Sequence, residues 1–363
     1  MSGVYLHIPF CRVHCTYCAF AITTNGRLEE AYVDALLHEI ALRADGRAVS
    51  SIYLGGGTPS RISSANVGRL LGEVQTRFQP AADCEITIEA NPEDISPEGL
   101  EEWRRIGVNR ISIGVQSFRD EELLPLGRVH SAEQASRAIA DAVSSGMRTS
   151  LDLIAGLPRQ TKNSLARNID IATGTGAGHI SLYMLDLEER TPLQVQASRG
   201  RIRLPEEDAV AEMYLDAVER LGQSGFEQYE ISNFARAEEK SRHNLAYWQR
   251  VEYFGFGLGA HSFLGEARTA NTRDIHHYIE RRGSAMEFRE VLGPEEQRRE
   301  RLFLNLRQAA GLDYALLQEL AGEEADGWVE RGSSEGWLWR DGDRVSFTPR
   351  GFVLSSEYIS QLF

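Results

Sequence analysis

The chain is nearly devoid of lysine. Of its 39 basic residues, only Lys162 and Lys240 are not arginine, a bias better explained by the coding genome than by function. It is also short of positive charge, since 39 Lys plus Arg face 53 Asp plus Glu, for a formal net charge of −14. Nucleic-acid binding draws mainly on cationic contacts to phosphate, so a general role of that kind is excluded. No apolar run approaches the ~18 residues that span a membrane. The first ten residues lack the basic stretch and long apolar run of a secretory signal, so a cytoplasmic location is expected, with membrane contact only peripherally through partners. Four cysteines in 363 residues are too few for a disulfide scaffold. Repeats and low-complexity segments are also absent. What remains is an ordinary globular composition, 42% hydrophobic and 25% charged, able to bury a sizeable core. At roughly 150 residues per domain, this length suits two domains or one large α/β barrel with an appendage.

The first half alternates strand and helix signals. Strands are expected at Val4–Ile8, Val49–Leu54, Glu85–Glu89, Arg110–Val115, Ser150–Ile154 and His179–Leu185, with amphipathic helices between them. Such repetition builds βαβ units and a parallel sheet, either a barrel or an open doubly wound sheet. Gly55–Thr58, Glu89, Gln116 and Asp152 fall at or just beyond strand ends. In parallel α/β folds, functional groups gather at the carboxyl edge, so these residues are expected to share one mouth. After about residue 190 the pattern changes to a helix, Glu206–Leu221, and aromatic, glycine-rich segments. Beyond Gly283–Pro294, two helices and a hairpin around Asp341-Gly342 read as a winged-helix-like unit. Residues 291–363 carry 8 Arg against 13 Asp plus Glu, so packing or partner docking is expected of this tail rather than DNA binding.

Three cysteines cluster as Cys11-x3-Cys15-x2-Cys18, directly after the first strand. Thiolates are soft ligands for iron–sulfur clusters or zinc. A structural zinc site wants four ligands. A four-iron cluster held by three cysteines keeps one iron open for a substrate or cofactor. Cys84 and His14 are candidate fourth ligands, but Cys84 opens a strand at the far end and reads as a core thiol.

Gly55-Gly56-Gly57-Thr58 follows the second strand. Glycines allow close backbone approach and positive φ, so the loop is either a plain turn or a holder for the polar end of an amino acid. Glu89 can accept two hydroxyl protons, as from a ribose. Arg128 has the fork geometry that suits a carboxylate. Further on, His243-Asn244-Leu245-Ala246-Tyr247-Trp248 sets a histidine among aromatic rings. That could be a capped turn over a core pair, or a histidine ligating heme iron while the rings pack on the porphyrin. His7 reads as structural, His276 and His277 as helix-surface residues, and His261, in a glycine-rich run, as a structural residue or a second heme-side or pocket residue.

The cysteine spacing, with Tyr17 just before the last cysteine, resembles the radical S-adenosylmethionine superfamily. The leading Tyr5-x-His7-Ile8-Pro9-Phe10-Cys11 is similar to the branch that holds oxygen-independent coproporphyrinogen III dehydrogenase and the HemW-type heme chaperones, and the resemblance spans nearly the whole chain. His-Asn-x-x-Tyr-Trp resembles a chaperone signature that the dehydrogenases lack. Phe20 stands where the dehydrogenases carry a further cysteine, and their longer N-terminal extension has no counterpart before Cys11.

The resemblance implies a partial parallel (β/α)6 TIM-like barrel over residues 1–190. It also implies an extension with the histidine motif over 191–290 and a winged-helix-like α+β domain over 291–363. It implies a [4Fe–4S] cluster on Cys11, Cys15 and Cys18, whose open iron chelates the amino and carboxylate groups of S-adenosylmethionine. The reduced cluster of such proteins cleaves the sulfonium to a 5′-deoxyadenosyl radical. The implied cofactor contacts are Tyr5, Tyr17, Gly56, Gly57, Thr58, Glu89, Gln116, Arg128 and Asp152, with Gly156 and Met184 toward the adenine. Heme contacts are implied at His243, Asn244, Tyr247 and Trp248. The expected partners are heme and an acceptor hemoprotein, with a homodimer possible. Coproporphyrinogen dehydrogenation and a heme-free protein with a purely structural cluster are the competing functions.

Overall fold

The computed structural model describes all 363 residues. Six parallel strands run in order along one sheet: β1 (Ser2–Ile8), β2 (Ala48–Gly56), β3 (Gln79–Ala90), β4 (Arg110–Gln116), β5 (Arg148–Ala155) and β6 (His179–Met184). The later strands extend both edges. β7 (Glu227–Gln228) and β8 (Asn233–Ala235) lie beyond β6, and β8 is antiparallel to it. β9 (Tyr253–Phe256) pairs in parallel with β1. β10 (His261–Leu264), β11 (Ala267–Asn271) and β12 (Met286–Val291) follow as an antiparallel meander. The result is one twelve-stranded sheet with β12 and β7 at its free edges.

The two faces of the six parallel strands differ in chemistry, and the period of two explains how. Val4, Leu6, Ile52, Leu54, Ile86, Ile88, Ile111, Ile113, Leu151, Leu153, Ile180 and Leu182 alternate along the strands and are all buried in one large apolar cluster. Helices such as Glu29–Arg43, Ser64–Arg77 and Ala132–Ser144 cover that face. The residues between them are mostly polar: Tyr5, Tyr53, Thr87, Glu89, Arg110, Ser112, Ser150, Asp152, His179 and Ser181. They line the concave face, so the barrel interior is polar rather than a packed apolar plug.

Residues 191–290 share the barrel's core. Met213, Tyr214, Phe226, Phe234, Phe254, Phe256 and Tyr278 all belong to the same cluster. A second core of 15 residues, from Leu302 to Leu362, is separate and includes Trp328, Phe347 and Tyr358. It is built from helices at Pro294–Leu306, Tyr314–Ala321 and Glu324–Ser334 and a small sheet of β13 (Leu312–Asp313), β14 (Leu338–Asp341) and β15 (Arg344–Phe347). The sequence reading missed the helix Glu324–Ser334, whose two glycines and two serines weaken its local signal. No helix is long and apolar enough to cross a membrane.

Candidate functional site

A cavity of about 560 Å³ opens at the carboxyl ends of the parallel strands. The cysteine loop forms one wall, and the loop is pinned by bonds distant in sequence. Cys11 N–H donates to the Thr23 carbonyl at 2.9 Å, and Thr16 N–H donates to that of Leu126 at 3.0 Å. Tyr17 faces the cavity and packs on a small apolar cluster with Leu126, Ile154, Leu157 and Leu193. Cys11, Cys15 and Cys18 are half-buried and all line this cavity. The Thr58 hydroxyl points at Cys11 Sγ at 3.5 Å, and Arg128 Nη1 at Cys15 Sγ at 3.7 Å. Burial pushes the Cys11 thiol up to about 11 and also raises Cys18. Thiolates here would therefore draw their stability from a bound metal. No three His, Cys, Asp or Glu side chains converge as they would on a single ion. The three cysteines nevertheless share the wall of one cavity of about 560 Å³. Cys84 is buried in β3 and does not line the cavity.

The glycine loop lies against the cysteine loop. Gly57 N–H donates to the Ile8 carbonyl and Thr58 N–H to that of Phe10, each at 2.9 Å. A Cβ on Gly57 would come within 2.7 Å of the Pro9 carbonyl carbon, and one on Gly56 (φ +108°) within 2.4 Å of the His7 ring. Only glycine allows this approach. Gly56 N–H donates to Glu89 Oε2 at 3.1 Å. The three amides are thus already engaged, so the backbone can meet a ligand only through carbonyl oxygens, of which that of Thr58 already accepts from Arg61 N–H at 2.9 Å. Those suit an ammonium group.

Glu89 and Asp152 face each other across the cavity floor. Glu89 Oε1 accepts from the Tyr53 hydroxyl at 2.7 Å, and both Asp152 oxygens lie 3.2 Å from the Ser112 hydroxyl. Burial raises Glu89 to about 7, against the pull of the Tyr53 hydrogen bond, and raises Asp152 to about 6. Gln116 closes β4 with φ +64°, a strained value for a residue with a side chain. Met184 also lines the cavity, whereas Gly156 does not.

Three expectations change on the structure. Arg128 was expected to grip a ligand carboxylate with its fork. Instead its Nη2 donates at 2.7 Å to both Asn91 Oδ1 and the Gly114 carbonyl, which leaves only Nε without a partner. Tyr5 was expected to contact the cofactor. It lies one layer deeper, with its hydroxyl 3.1 Å from His7 Nδ1, and lines a second polar cavity of about 220 Å³. His243 was expected to present its ring to a ligand. It is 1% exposed, and its ring nitrogens lie 2.9 Å from Ser51 Oγ (Nδ1) and 2.9 Å from the Tyr247 hydroxyl (Nε2). Burial lowers it to about 3, so it stays neutral.

The cause is the short helix Arg242–Trp248, capped by Ser241, which packs across the barrel's lower end against Ser51 and Glu85. Its His243 N–H donates to Glu85 Oε1 at 3.2 Å. Asn244, Tyr247 and Trp248 are half-buried around it. His7 is buried, with Nε2 2.8 Å from the Ala21 carbonyl, and burial lowers it to about 4. His261 lines neither cavity. Tyr53 and Asn91, both missed in the sequence, tie the site together. Each serves through a partner distant along the chain, so spacing carries no signal of it.

Comparisons with known proteins agree with this geometry. The Radical SAM superfamily profile matches residues 5–172, and the HemN C-terminal domain profile matches 292–354. "Heme chaperone HemW" of Bacillus subtilis is 35% identical, covering 98% of this chain and 98% of its own. "Heme chaperone HemW" of Escherichia coli is 39% identical over 71% of this chain and 69% of its own. Among solved structures, coproporphyrinogen III oxidase (HemN) from Escherichia coli superposes with a TM-score of 0.84 and 26% identity, covering 99% of this chain and 89% of that one. With the cysteine loop, the glycine loop and the His-Asn-x-x-Tyr-Trp helix all in place, the chain belongs to the HemW family of the radical S-adenosylmethionine superfamily.

Proposed function

We propose that the protein is a heme chaperone that carries a [4Fe–4S] cluster and S-adenosylmethionine at the barrel mouth and passes heme to an acceptor hemoprotein. The observation that carries this reading is the full-length likeness to proteins named heme chaperones, at higher identity than to the dehydrogenase. Phe20, 67% exposed at the cavity rim where the dehydrogenases have a cysteine, supports it.

Cys11, Cys15 and Cys18 would hold the cluster, with Thr58 and Arg128 donating to the first two sulfurs. A bound cluster of this kind supplies low-potential electrons and an open iron for an amino acid's amine and carboxylate. The Gly56–Thr58 loop would meet the amine with carbonyl oxygens. Glu89 and Asp152 would accept from hydroxyl groups, and Tyr17, Met184 and Ile154 form apolar walls around them. Gln116 and the free Nε of Arg128 are the donors left for a carboxylate.

The heme contacts are proposed at His243, Asn244, Tyr247 and Trp248. In the conformation described, His243 has no nitrogen to spare, so axial ligation requires the helix Arg242–Trp248 to release Ser51 and the barrel floor. Anaerobic reconstitution followed by hemin titration tests the reading on one sample. A saturable Soret shift in wild type that is lost in His243→Ala supports it, and an unchanged shift in His243→Ala overturns the heme site. Formation of protoporphyrinogen from coproporphyrinogen by the reduced protein would instead establish the dehydrogenase.

A further inference from the structure

We propose that His243 is a positioning residue for the S-adenosylmethionine site, acting on Glu89 through Tyr53, so that the helix across the barrel floor and the cofactor pocket at its mouth respond to each other. The inference rests on the reading of Glu89 as a cofactor-binding carboxylate.

The connection is short and uninterrupted. The His243 ring stacks on Tyr53 with centroids 4.9 Å apart and planes inclined by 21°. The ring is fixed from both sides, by Ser51 Oγ at Nδ1 and the Tyr247 hydroxyl at Nε2, each at 2.9 Å. Tyr247 meets the ring edge-on at 4.8 Å. Tyr53 in turn donates its hydroxyl to Glu89 Oε1 at 2.7 Å. Its ring also limits the glycine loop, since a Cβ on Gly55 would lie 2.8 Å from Tyr53 Cε1. Tyr53 therefore sets both the carboxylate and the start of the loop that faces the cofactor.

A second branch leads to the cysteine loop. Tyr5 stacks on Tyr53 at 6.2 Å, and its hydroxyl meets His7 Nδ1 at 3.1 Å. His7 Nε2 then meets the Ala21 carbonyl at 2.8 Å, three residues past Cys18. At the other end, the floor helix leans on the C-terminal domain. Gln308 Nε2 donates to the Trp248 carbonyl at 3.2 Å, and Arg250 Nε donates to Glu300 at 2.6 Å.

These rings sit in a small polar cavity beneath the mouth, and Glu89, Ser112 and Asp152 line both cavities. A buried ring held at both nitrogens and stacked on a neighbour has few alternative positions. Removing it lets Tyr53 rotate and releases the hydrogen bond that orients Glu89. Linkage is reciprocal, so cofactor binding at Glu89 steadies the floor helix by the same factor that the helix contributes to cofactor binding.

The test uses full-length, cluster-loaded protein, with iron content as the control for an intact mouth. Tyr53→Phe keeps the ring and deletes one hydrogen bond to a carboxylate. It is expected to weaken S-adenosylmethionine binding about tenfold. His243→Ala is expected to weaken it by a similar factor, and His243→Phe, which restores a stacking ring, to recover part of the loss. The double variant Tyr53→Phe/His243→Ala is expected to be little worse than Tyr53→Phe alone. In wild type, amide hydrogen exchange across residues 242–250 is expected to slow when S-adenosylmethionine is added, and in Tyr53→Phe to stay unchanged. If Glu89→Gln binds the cofactor as wild type does, the underlying reading of Glu89 falls. If Glu89→Gln weakens binding while Tyr53→Phe and His243→Ala do not, or if their effects multiply in the double variant, the positioning role falls. Should His243→Ala fail to fold, Tyr53→Phe and the exchange measurement decide alone.

Discussion

The mouth and the floor of the barrel are lined by the same strands and by similar residue types, yet they are finished differently. At the mouth, sulfurs, carboxylates and carbonyl oxygens are left facing a cavity. Cys11, Cys15, Cys18, Glu89 and Asp152 all retain bonding capacity toward it. At the floor, His243, Ser51, Tyr247, Ser241 and Glu85 satisfy one another. Groups that face a ligand site keep bonding capacity, whereas groups paired within the fold do not. The two motifs look equally functional in the sequence but differ in how their own polar groups are engaged, although Thr87 Oγ1 and Arg110 Nη2 beside the floor helix also lack partners.

The sharpest way to break this contrast is at the cysteines. Cys15→Ala is expected to abolish iron retention after anaerobic reconstitution while the fold persists. Iron content equal to wild type would remove the receiving role from the mouth. Next in size is Gly57→Ala. The new Cβ meets the Pro9 backbone, which cannot swing aside, so a destabilisation of about 2 kcal/mol or more is expected, together with reduced iron retention. A urea midpoint within error of wild type would show that the two loops are not pressed together.

Glu89 offers a smaller, pH-dependent effect. Its folded state holds the proton more tightly than the unfolded chain, with burial lifting it from the ordinary glutamate range to about 7. Its contribution to stability is therefore fully present below about 4.5 and is lost as pH rises through 7. Glu89→Gln removes that loss, so the variant should gain stability relative to wild type between pH 5 and 8. A stability difference that stays flat over that range, followed by urea titration, would mean Glu89 is not held in a dry wall. The smallest expected effect is at the floor. Ser51→Ala leaves His243 Nδ1 without its partner and should cost about 1 kcal/mol, leaving iron content untouched. Loss of iron in that variant would mean that floor and mouth are not separately finished.

Much of the barrel was legible. The six strands expected from alternation correspond to β1 to β6, with β3 starting six residues before the expected Glu85, because a parallel strand packed against helices on one face needs an unbroken apolar alternation. The mouth was legible for a related reason. Loops at the carboxyl ends of successive parallel strands must share one edge, so Cys11–Cys18, Gly56–Thr58, Glu89, Gln116 and Asp152 had to converge. The partners that engage Arg128, Tyr5 and His243 were not legible, because the sequence names donors and acceptors without naming partners. Asn91, Gly114 and Ser51, which engage Arg128 and His243, are unremarkable when read alone. Tyr53 was missed for the same reason.

The order of residues along the chain was enough to determine the strand–helix alternation, the thiol cluster and the edge on which the polar residues collect. Those follow from local periodicity and from the short reach of each loop. Which polar groups stay open and which are closed off was decided only by tertiary packing. That outcome depends on contacts between segments about 200 residues apart, as where His243 meets Ser51, and hydrogen-bond satisfaction is a property of the assembled neighbourhood rather than of any stretch of sequence.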